Sequence, residues 1–290
     1  MDINQVITGE LGVKRWQVDA AVKLIDEGNT IPFIARYRKE VTGTLDDAQL
    51  RTLHERLMYL RNLEEKKEQV LASIEEQGKL TEELKKQILA AETMVVVEDL
   101  YRPYRPKRRT RAMIAKEKGL EPLAALITLQ KAEKPIEVYA EEYVNPEKEV
   151  KSVKEAIDGA KDIIAESVSD EADYRSWIRK ATVQHGKVIS QAKDEKAESV
   201  YEMYYDFEEP VTKLAGHRVL ALNRGEKEKF LTVKIEAPQD DILRYLEKKM
   251  IHSDNPHTTP ILKEVAEDSY KRLIAPAIAV SYTHLRAHET

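Results

Sequence analysis

The residues best suited to chemistry lie in one basic stretch, YRPYRPKRRTR, from Tyr101 to Arg111. This stretch contains no acidic residue, although the whole chain has a net charge of -5. Guanidinium and ammonium groups contact phosphates and tyrosine rings stack on bases, so the composition suits single-stranded nucleic acid. The candidate binding residues are six cations and two rings: Arg102, Arg105, Lys107, Arg108, Arg109, Arg111, Tyr101 and Tyr104.

Two prolines set the expected conformation of this stretch, which we call the basic strap (residues 101–111). Pro103 and Pro106 have a restricted φ and push the residue before each of them towards extended geometry. Polyproline II geometry repeats every three residues, which would separate tyrosines and arginines onto different edges. The predicted edges are Tyr101, Tyr104 and Lys107 on one side and Arg102, Arg105 and Arg108 on another.

A second interpretation of the strap requires no ligand. Its tyrosines would pack on neighbouring helices, while its arginines would pair with local acids such as Glu98 and Asp99. A clustered basic face is consistent with nucleic-acid binding but does not establish it. The sequence leaves both interpretations open.

Two other motifs are weaker candidates for binding. Ala115 and Gly119 have the spacing of a helix-turn-helix, but the second helix, LAALITLQ, is apolar nearly all round. Such a helix belongs in a core and not in a major groove, so we predict the shape without DNA reading. Arg36, Arg38 and Lys39, with Tyr37, would either extend the cationic face or form a solvated turn beside acidic partners.

No constellation of residues predicts catalysis or a cofactor. The sequence contains no HExxH, GxSxG, Walker A or GxGxxG motif. His252, Asp254 and His257 lie close together at no recognised ligand spacing, so we expect a loop without a metal there. The chain is predicted to act by binding, with no catalytic residue, metal or cofactor.

Composition favours a helical, cytoplasmic protein. Charged residues make up 34% of the 290 residues and aromatic residues 6%, which favours helix over sheet. The absence of cysteine excludes disulfides and cysteine nucleophiles and fits a reducing compartment. No apolar run approaches the roughly 20 residues that span a bilayer, and the first residues lack a signal-peptide pattern. We therefore expect no membrane partner.

Apolar periodicity predicts helices along most of the chain. The longest runs from Leu45 to about Gln77, and a helix rich in aromatic residues is predicted from Val200 to Phe207. LTVKI, from Leu231, alternates strictly and is the one predicted strand. The predicted fold is mainly α, an elongated multi-helix framework with a helix-turn-helix-like unit and at most a short β segment. The polar run after Gln130 divides it into residues 1–130 and 131–280.

Four stretches carry a recognisable pattern along the chain: PFIARYRKE from Pro32 with Thr42-Gly43, EDLYRPYRPKRRTRAMIAKEKGLEPLA from Glu98, AIDGAKDIIAE from Ala156, and HRVLALNRGEKE from His217. Together they resemble the amino-terminal part of the Tex family of bacterial transcription accessory proteins, and the likeness covers nearly all of residues 1 to 280. The resemblance implies a cytosolic nucleic-acid-binding protein with an elongated helical framework. It also implies later nuclease-like, helix-hairpin-helix and S1 domains, before which this chain stops.

The last residues, 281–290, do not continue the likeness. From Ser281 they include His284 and His288 and show no apolar periodicity, so we predict a non-native tail.

The function expected from these observations is that of a Tex-like transcription accessory fragment that binds nucleic acid without catalysis. Single-stranded RNA is favoured over DNA, and RNA polymerase is a further candidate partner. The alternative is a helical protein-interaction scaffold that docks on the transcription machinery with no direct nucleic-acid contact.

Overall fold

The structure, a computed structural model, describes residues 1–279, which form two compact units: Met1–Tyr101, and a second unit that begins at Arg102. Helices dominate both units, so the predicted mainly α fold is confirmed. No helix within the described range is long and apolar enough to cross a membrane. The predicted tail at 281–290 lies outside the described residues, and the predicted boundary at 130 stays a prediction.

The first unit is built around one long helix. Its elements are α1 (Ile3–Leu11), α2 (Arg15–Asp26), α3 (Ile31–Tyr37), α4 (Asp47–Glu76), α5 (Glu82–Ala90) and α6 (Met94–Tyr101). Leu50, Leu53, Leu57 and Leu60 of α4 are buried, which confirms the predicted stripe along that helix. Because α1, α2, α3, α5 and α6 all contact α4, its apolar face forms the core of this unit.

The second unit is built around α10. Its helices are α7 (Arg111–Glu117), α8 (Glu121–Leu129), α9 (Ile136–Ala140), α10 (Val153–Asp170), α11 (Ala172–His185), α12 (Gly216–Lys227), α13 (Gln239–Met250) and α14 (Thr259–Asp268). The predicted helix-turn-helix corresponds to α7 and α8, and Leu123 and Ile127 of α8 are fully buried. A β-carbon at Gly159 of α10 would lie 2.4 Å from Cδ1 of Leu120 and 3.3 Å from Cβ of Ala115. Glycine therefore lets α10 approach the helix-turn-helix closely.

The chain continues beyond α14 in a π-helical segment, Ser269–Ile274, and is helical again over 275–279. The hydroxyl of Ser269 is buried and donates a hydrogen bond to the carbonyl of Ala165 in α10, at 2.8 Å. Tyr270, Ile274 and Ile278 are buried in the core of the unit.

A small antiparallel sheet completes the second unit. Its strands are β1 (Lys187–Ala192), β2 (Asp206–Pro210) and β3 (Leu231–Glu236), in the order β2-β1-β3. β3 is the predicted strand, whereas β1 and β2 are additions to the prediction. The predicted helix from Val200 to Phe207 is wrong: a single turn of 3-10 helix, Glu202–Tyr204, leads directly into β2. Pairing with β1 holds Phe207 opposite Ser190, and this tertiary contact overrides the local helical spacing.

Candidate nucleic-acid interface

The basic strap begins with a turn. Helix α6 ends at Tyr101, and residues 102–104 form the turn that follows. The three-residue repeat predicted from Tyr101 is therefore wrong, because the turn interrupts it. Arg102 precedes a proline and so resists continuing the helix, while the φ of Pro103 suits a turn as well as polyproline II.

Two cations of the strap attach it to the last turn of α10. Nε of Arg102 donates to Oδ1 of Asp170 at 3.1 Å, and Nζ of Lys107 donates to Oδ2 of the same carboxylate. Nζ of Lys107 also lies 3.7 Å from Oε1 of Glu166. Only 14% of the Asp170 side chain is exposed. Asp170 is the last residue of α10, and the C-terminal end of a helix disfavours negative charge. The two cations therefore stabilise the Asp170 carboxylate at this position.

Asp170 and Glu166 are partner acids that the sequence did not suggest. Of the acids that the sequence did suggest, Glu98 pairs with Lys66 inside the first unit, with 2.7 Å between Oε1 and Nζ. Asp170 and Glu166 lie far from the strap along the chain, and folding brings them to it. No local sequence pattern identifies them as partners of Arg102 and Lys107.

Four other cations of the strap are exposed: Arg105, Arg108, Arg109 and Arg111. Nη2 of Arg109 lies 2.7 Å from Oε2 of Glu117, but both side chains are more than half exposed, so the pair is weak. Arg108 forms no ion pair with any residue of the described range 1–279. The strap therefore presents four exposed cations besides the two that contact Asp170.

Helix α7 positions the last of these cations. The side chain of Thr110 accepts a hydrogen bond from the amide of Met113 at 3.1 Å, which caps α7 and makes Arg111 its first residue. Burial raises the pKa of Asp162 above its usual value of 3.8, and the positive charges of Arg272 and Arg111 oppose that rise. Arg111 thus lies near one partly buried carboxylate while its own side chain remains exposed.

The two tyrosines of the strap are half-buried. The hydroxyl of Tyr101 lies 3.0 Å from Oγ of Ser73, and Nζ of Lys66 lies 5.9 Å from the centre of its ring. Tyr101 is therefore engaged in the fold of the first unit, as the ligand-free interpretation expects. Tyr104 lies on the turn that follows.

The second basic set lies on the first unit, at the end of α3. Arg36, Tyr37, Arg38 and Lys39 are all exposed, and the guanidinium of Arg38 lies 5.2 Å from the centre of the Phe33 ring. The three cations form no ion pair within residues 1–279. The set is a solvated cationic surface rather than a turn paired with acids.

The histidine-containing loop is organised by a glutamine. Oε1 of Gln130 accepts hydrogen bonds from the amides of His252, at 2.9 Å, and Ser253, at 3.1 Å. Among the described residues, no three His, Cys, Asp or Glu side chains come close enough together to hold a metal ion. The observed contacts of this loop with Gln130 are hydrogen bonds that hold its backbone in place.

Residues 1–75 match the family described as Tex-like protein N-terminal domain, and residues 130–277 match the one described as Tex central region-like. Transcriptional accessory protein Tex of Neisseria gonorrhoeae is 40% identical over 295 residues, covering 100% of this chain and 36% of that protein. Protein tex of Bordetella pertussis is 47% identical over 233 residues, 80% of this chain and 29% of that protein.

A human protein is also similar. S1 RNA-binding domain-containing protein 1 of Homo sapiens is 30% identical over 293 residues, which cover 96% of this chain and 29% of that protein. The chain spans about a third of the length of the curated relatives it matches.

Proposed function

This chain belongs to the Tex family, and from that premise we propose that it serves transcription by binding nucleic acid through the exposed face of its basic strap. The binding is non-catalytic, takes place in the cytoplasm and favours single-stranded RNA over DNA. RNA polymerase is a further proposed partner. The names of the relatives, which refer to transcription and to an RNA-binding domain, support this choice of partners.

The observation that carries the proposal is the different placement of two groups of strap cations. Arg102 and Lys107 contact Asp170 and hold the strap on α10. Arg105, Arg108, Arg109 and Arg111 are exposed on the same segment. Because the anchored segment is already ordered, a phosphate chain would meet cations whose backbone needs little further ordering.

Single strands suit this surface better than a duplex. Helix α8, the second helix of the helix-turn-helix, buries Leu123, Ala124 and Ile127 in the core. Its exposed residues are Glu121, Pro122, Ala125, Thr128 and Leu129, and none of them is a cation suited to a major groove. Contacts from a short basic segment to phosphates need no groove. Three or four such contacts predict a log-log dependence of affinity on salt with a slope of about -2 to -3.

The test is the binding of the 290-residue chain to a fluorescein-labelled single-stranded RNA of about 16 nucleotides, followed by anisotropy. We expect saturable binding at about 50 mM salt that weakens strongly at about 200 mM. The combined change Arg105→Ala, Arg108→Ala and Arg109→Ala is expected to weaken binding at least about ten-fold at the lower salt.

A matched control removes three exposed cations outside the strap: Arg51→Ala, Arg224→Ala and Lys263→Ala. This control is expected to bind nearly as tightly as the unchanged chain. If the control loses as much affinity as the strap variant, or if the unchanged chain does not bind at the lower salt, the proposal is wrong. The alternative, a protein-interaction scaffold without nucleic-acid contact, would then be favoured.

A further inference from the structure

A groove lies between α11 and α13 in the second unit, on elements that the strap does not use. Its volume is about 480 Å³, within the range of small-molecule sites. Its aromatic surface comes from Trp177 and Tyr245, whose rings stack with centres 3.8 Å apart and planes 3° apart. The ring of Tyr174 packs edge-on against the ring of Tyr245, with 6.0 Å between ring centres.

Both stacked rings are only half-buried. They lie at the edge of the core around α10, so one side of the pair packs inward while part of its surface lines the groove. A flat platform of this kind accepts another planar ring by stacking, whatever the identity of that ring.

Cations surround the platform. Lys180, Arg244 and Lys248 line the groove and are exposed, and Nζ of Lys249 lies 5.8 Å from the centre of the Tyr245 ring. Lys180 and Lys248 form no ion pair with residues 1–279. The groove therefore combines a stacking surface with cations that have no partner in the described part of the chain.

The groove also contains one carboxylate, that of Asp241. Nη2 of Arg244 donates a hydrogen bond to Oδ1 of Asp241, which offsets its charge. The two lysines still leave the lining positively charged, in a protein whose net charge is -5. An anionic occupant is favoured.

We propose that this groove binds one nucleotide of a single-stranded nucleic acid, with the base stacked on Trp177 and the phosphate near Lys180 and Lys248. This inference rests on the proposed function, because it assigns a second contact for the same class of ligand. A nucleotide matches both features of the groove, the planar stack and the cations. An acidic peptide would match only the cations.

The chain offers a direct optical readout of this site. It has two tryptophans, Trp16 in the first unit and Trp177 in the groove. The change Trp16→Phe leaves Trp177 as the single indole. Stacking of a base on Trp177 is then expected to quench its fluorescence saturably, with adenosine monophosphate and with the single-stranded RNA.

The paired change Lys180→Gln and Lys248→Gln, in the same background, is expected to weaken this quenching at least about five-fold. Its control is Lys154→Gln with Lys263→Gln, which removes two exposed cations from α10 and α14 and is expected to leave the quenching unchanged. Inorganic phosphate alone is expected not to quench. If Trp16→Phe impairs folding, fluorotryptophan labelling of the unchanged sequence gives one NMR resonance for each indole.

The two proposals fail in different ways. If RNA binds by anisotropy and the binding depends on the strap, but Trp177 neither quenches nor shifts, the groove proposal is wrong and the proposed function stands. Equal competition by an acidic peptide also overturns the groove proposal. If adenosine monophosphate quenches Trp177 while RNA binding is unaffected by the strap changes, the groove proposal stands and the strap is not the RNA site.

Discussion

Nε of Arg102 lies 3.1 Å from Oδ1 of Asp170, a residue that follows it by 68 positions in the chain. The contact joins the start of the basic strap to the end of α10. This contact gives Arg102 a structural role. From composition alone, all six cations of the strap are expected to bind phosphates.

The change Asp170→Asn is expected to lower the free energy of unfolding by about 1–3 kcal/mol, because the neutral amide pairs poorly with Arg102 and Lys107. Urea denaturation measures the difference. The matched control is Glu117→Gln, which removes the exposed partner of Arg109 and is expected to change stability by less than about 0.5 kcal/mol. Equal losses from both variants would mean that Asp170 does not anchor the strap.

Arg108 and Lys107 are neighbours in the strap, but we expect the first to contribute to RNA binding and the second to the free energy of unfolding. Arg108→Gln removes an exposed side chain, so it is expected to weaken RNA binding and reduce the salt slope by about 0.7 without changing the free energy of unfolding. Lys107→Gln is expected to lower the free energy of unfolding by about 1 kcal/mol or more, since it removes a contact with Asp170. Anisotropy and urea denaturation of both variants check this. The reverse pattern would show that the anchor and the binding residue are assigned the wrong way round.

Gly159→Ala is expected to destabilise the second unit by about 1–2 kcal/mol, although alanine favours helix. The new methyl group would meet Cδ1 of Leu120 at 2.4 Å, and Leu120 is fully buried and cannot swing into solvent. The control is Gly9→Ala in α1, where a β-carbon meets nothing within 4 Å, and it is expected to stabilise by up to about 1 kcal/mol.

A double-mutant cycle identifies the clash. Gly159→Ala is expected to cost less in a Leu120→Ala background, because the atom in the way is gone. Thermal or urea denaturation of the four proteins gives the coupling. A cost that is the same in both backgrounds would place the strain somewhere other than Leu120.

The pH dependence of stability should reveal the partly buried Asp162. Burial raises the pKa of its carboxyl above 3.8, so the folded state holds this proton more tightly than the unfolded state. Stability from the protonated form is present below about pH 3.8 and is lost as the pH rises through the folded pKa. Relative to the unchanged protein, Asp162→Asn should therefore become more stable as the pH rises from about 3 to 7.

Asp26 is expected to make stability change with pH in the opposite direction to Asp162. Arg61 donates hydrogen bonds to both of its oxygens, at 2.7 and 2.8 Å, and lowers the pKa of Asp26 below 3.8. The stability that this carboxylate contributes is present at neutral pH and is lost as the pH falls through the folded pKa. Asp26→Asn should therefore become less stable, relative to the unchanged protein, over the same rise in pH. Urea denaturation across the range measures both variants, and slopes of the same sign would contradict the assignment.

Local patterns were enough to predict the long helix, the helix-turn-helix and one strand. The stripe of α4, the turn at Gly119 and the alternation of LTVKI each lie within a few residues of the chain. They depend on periodicity and on one left-handed glycine, with a φ of 81° at Gly119.

The missed elements depend on partners that are distant in sequence. β1 places a polar residue, Ser190, at a fully buried position, and β2 is the acidic stretch Asp206–Pro210, so neither has the alternation expected of a strand. Tyr201 and Tyr204 have a spacing that suits a helix, yet they are buried in a cluster with Leu222 and Leu231 that exists only in the folded chain.

The candidate site, too, could be predicted only where it depends on neighbouring residues in the sequence. Its cations could be identified from composition, because six basic residues without an acid are conspicuous in an acidic protein. Which of these cations are exposed could not be predicted, because it depends on the contacts of Arg102 and Lys107 with Asp170, which is distant in sequence. The stack of Trp177 on Tyr245 joins residues of two different helices, and no motif in either helix indicates it.

The π-helical segment Ser269–Ile274 has a consequence for how the chain can vary in length. A π turn accommodates one residue more than an α turn. The extra residue is therefore confined to that turn, and the residues of the flanking turns stay on the same faces of the helix. Removal of one exposed residue, Lys271, would convert the segment to an ordinary α-helix and leave Ile278 directed at the core. The same deletion inside α10 would rotate every later residue of that helix by about 100°. The end of this helix is thus a place where the length can change by one residue without reorganising the core.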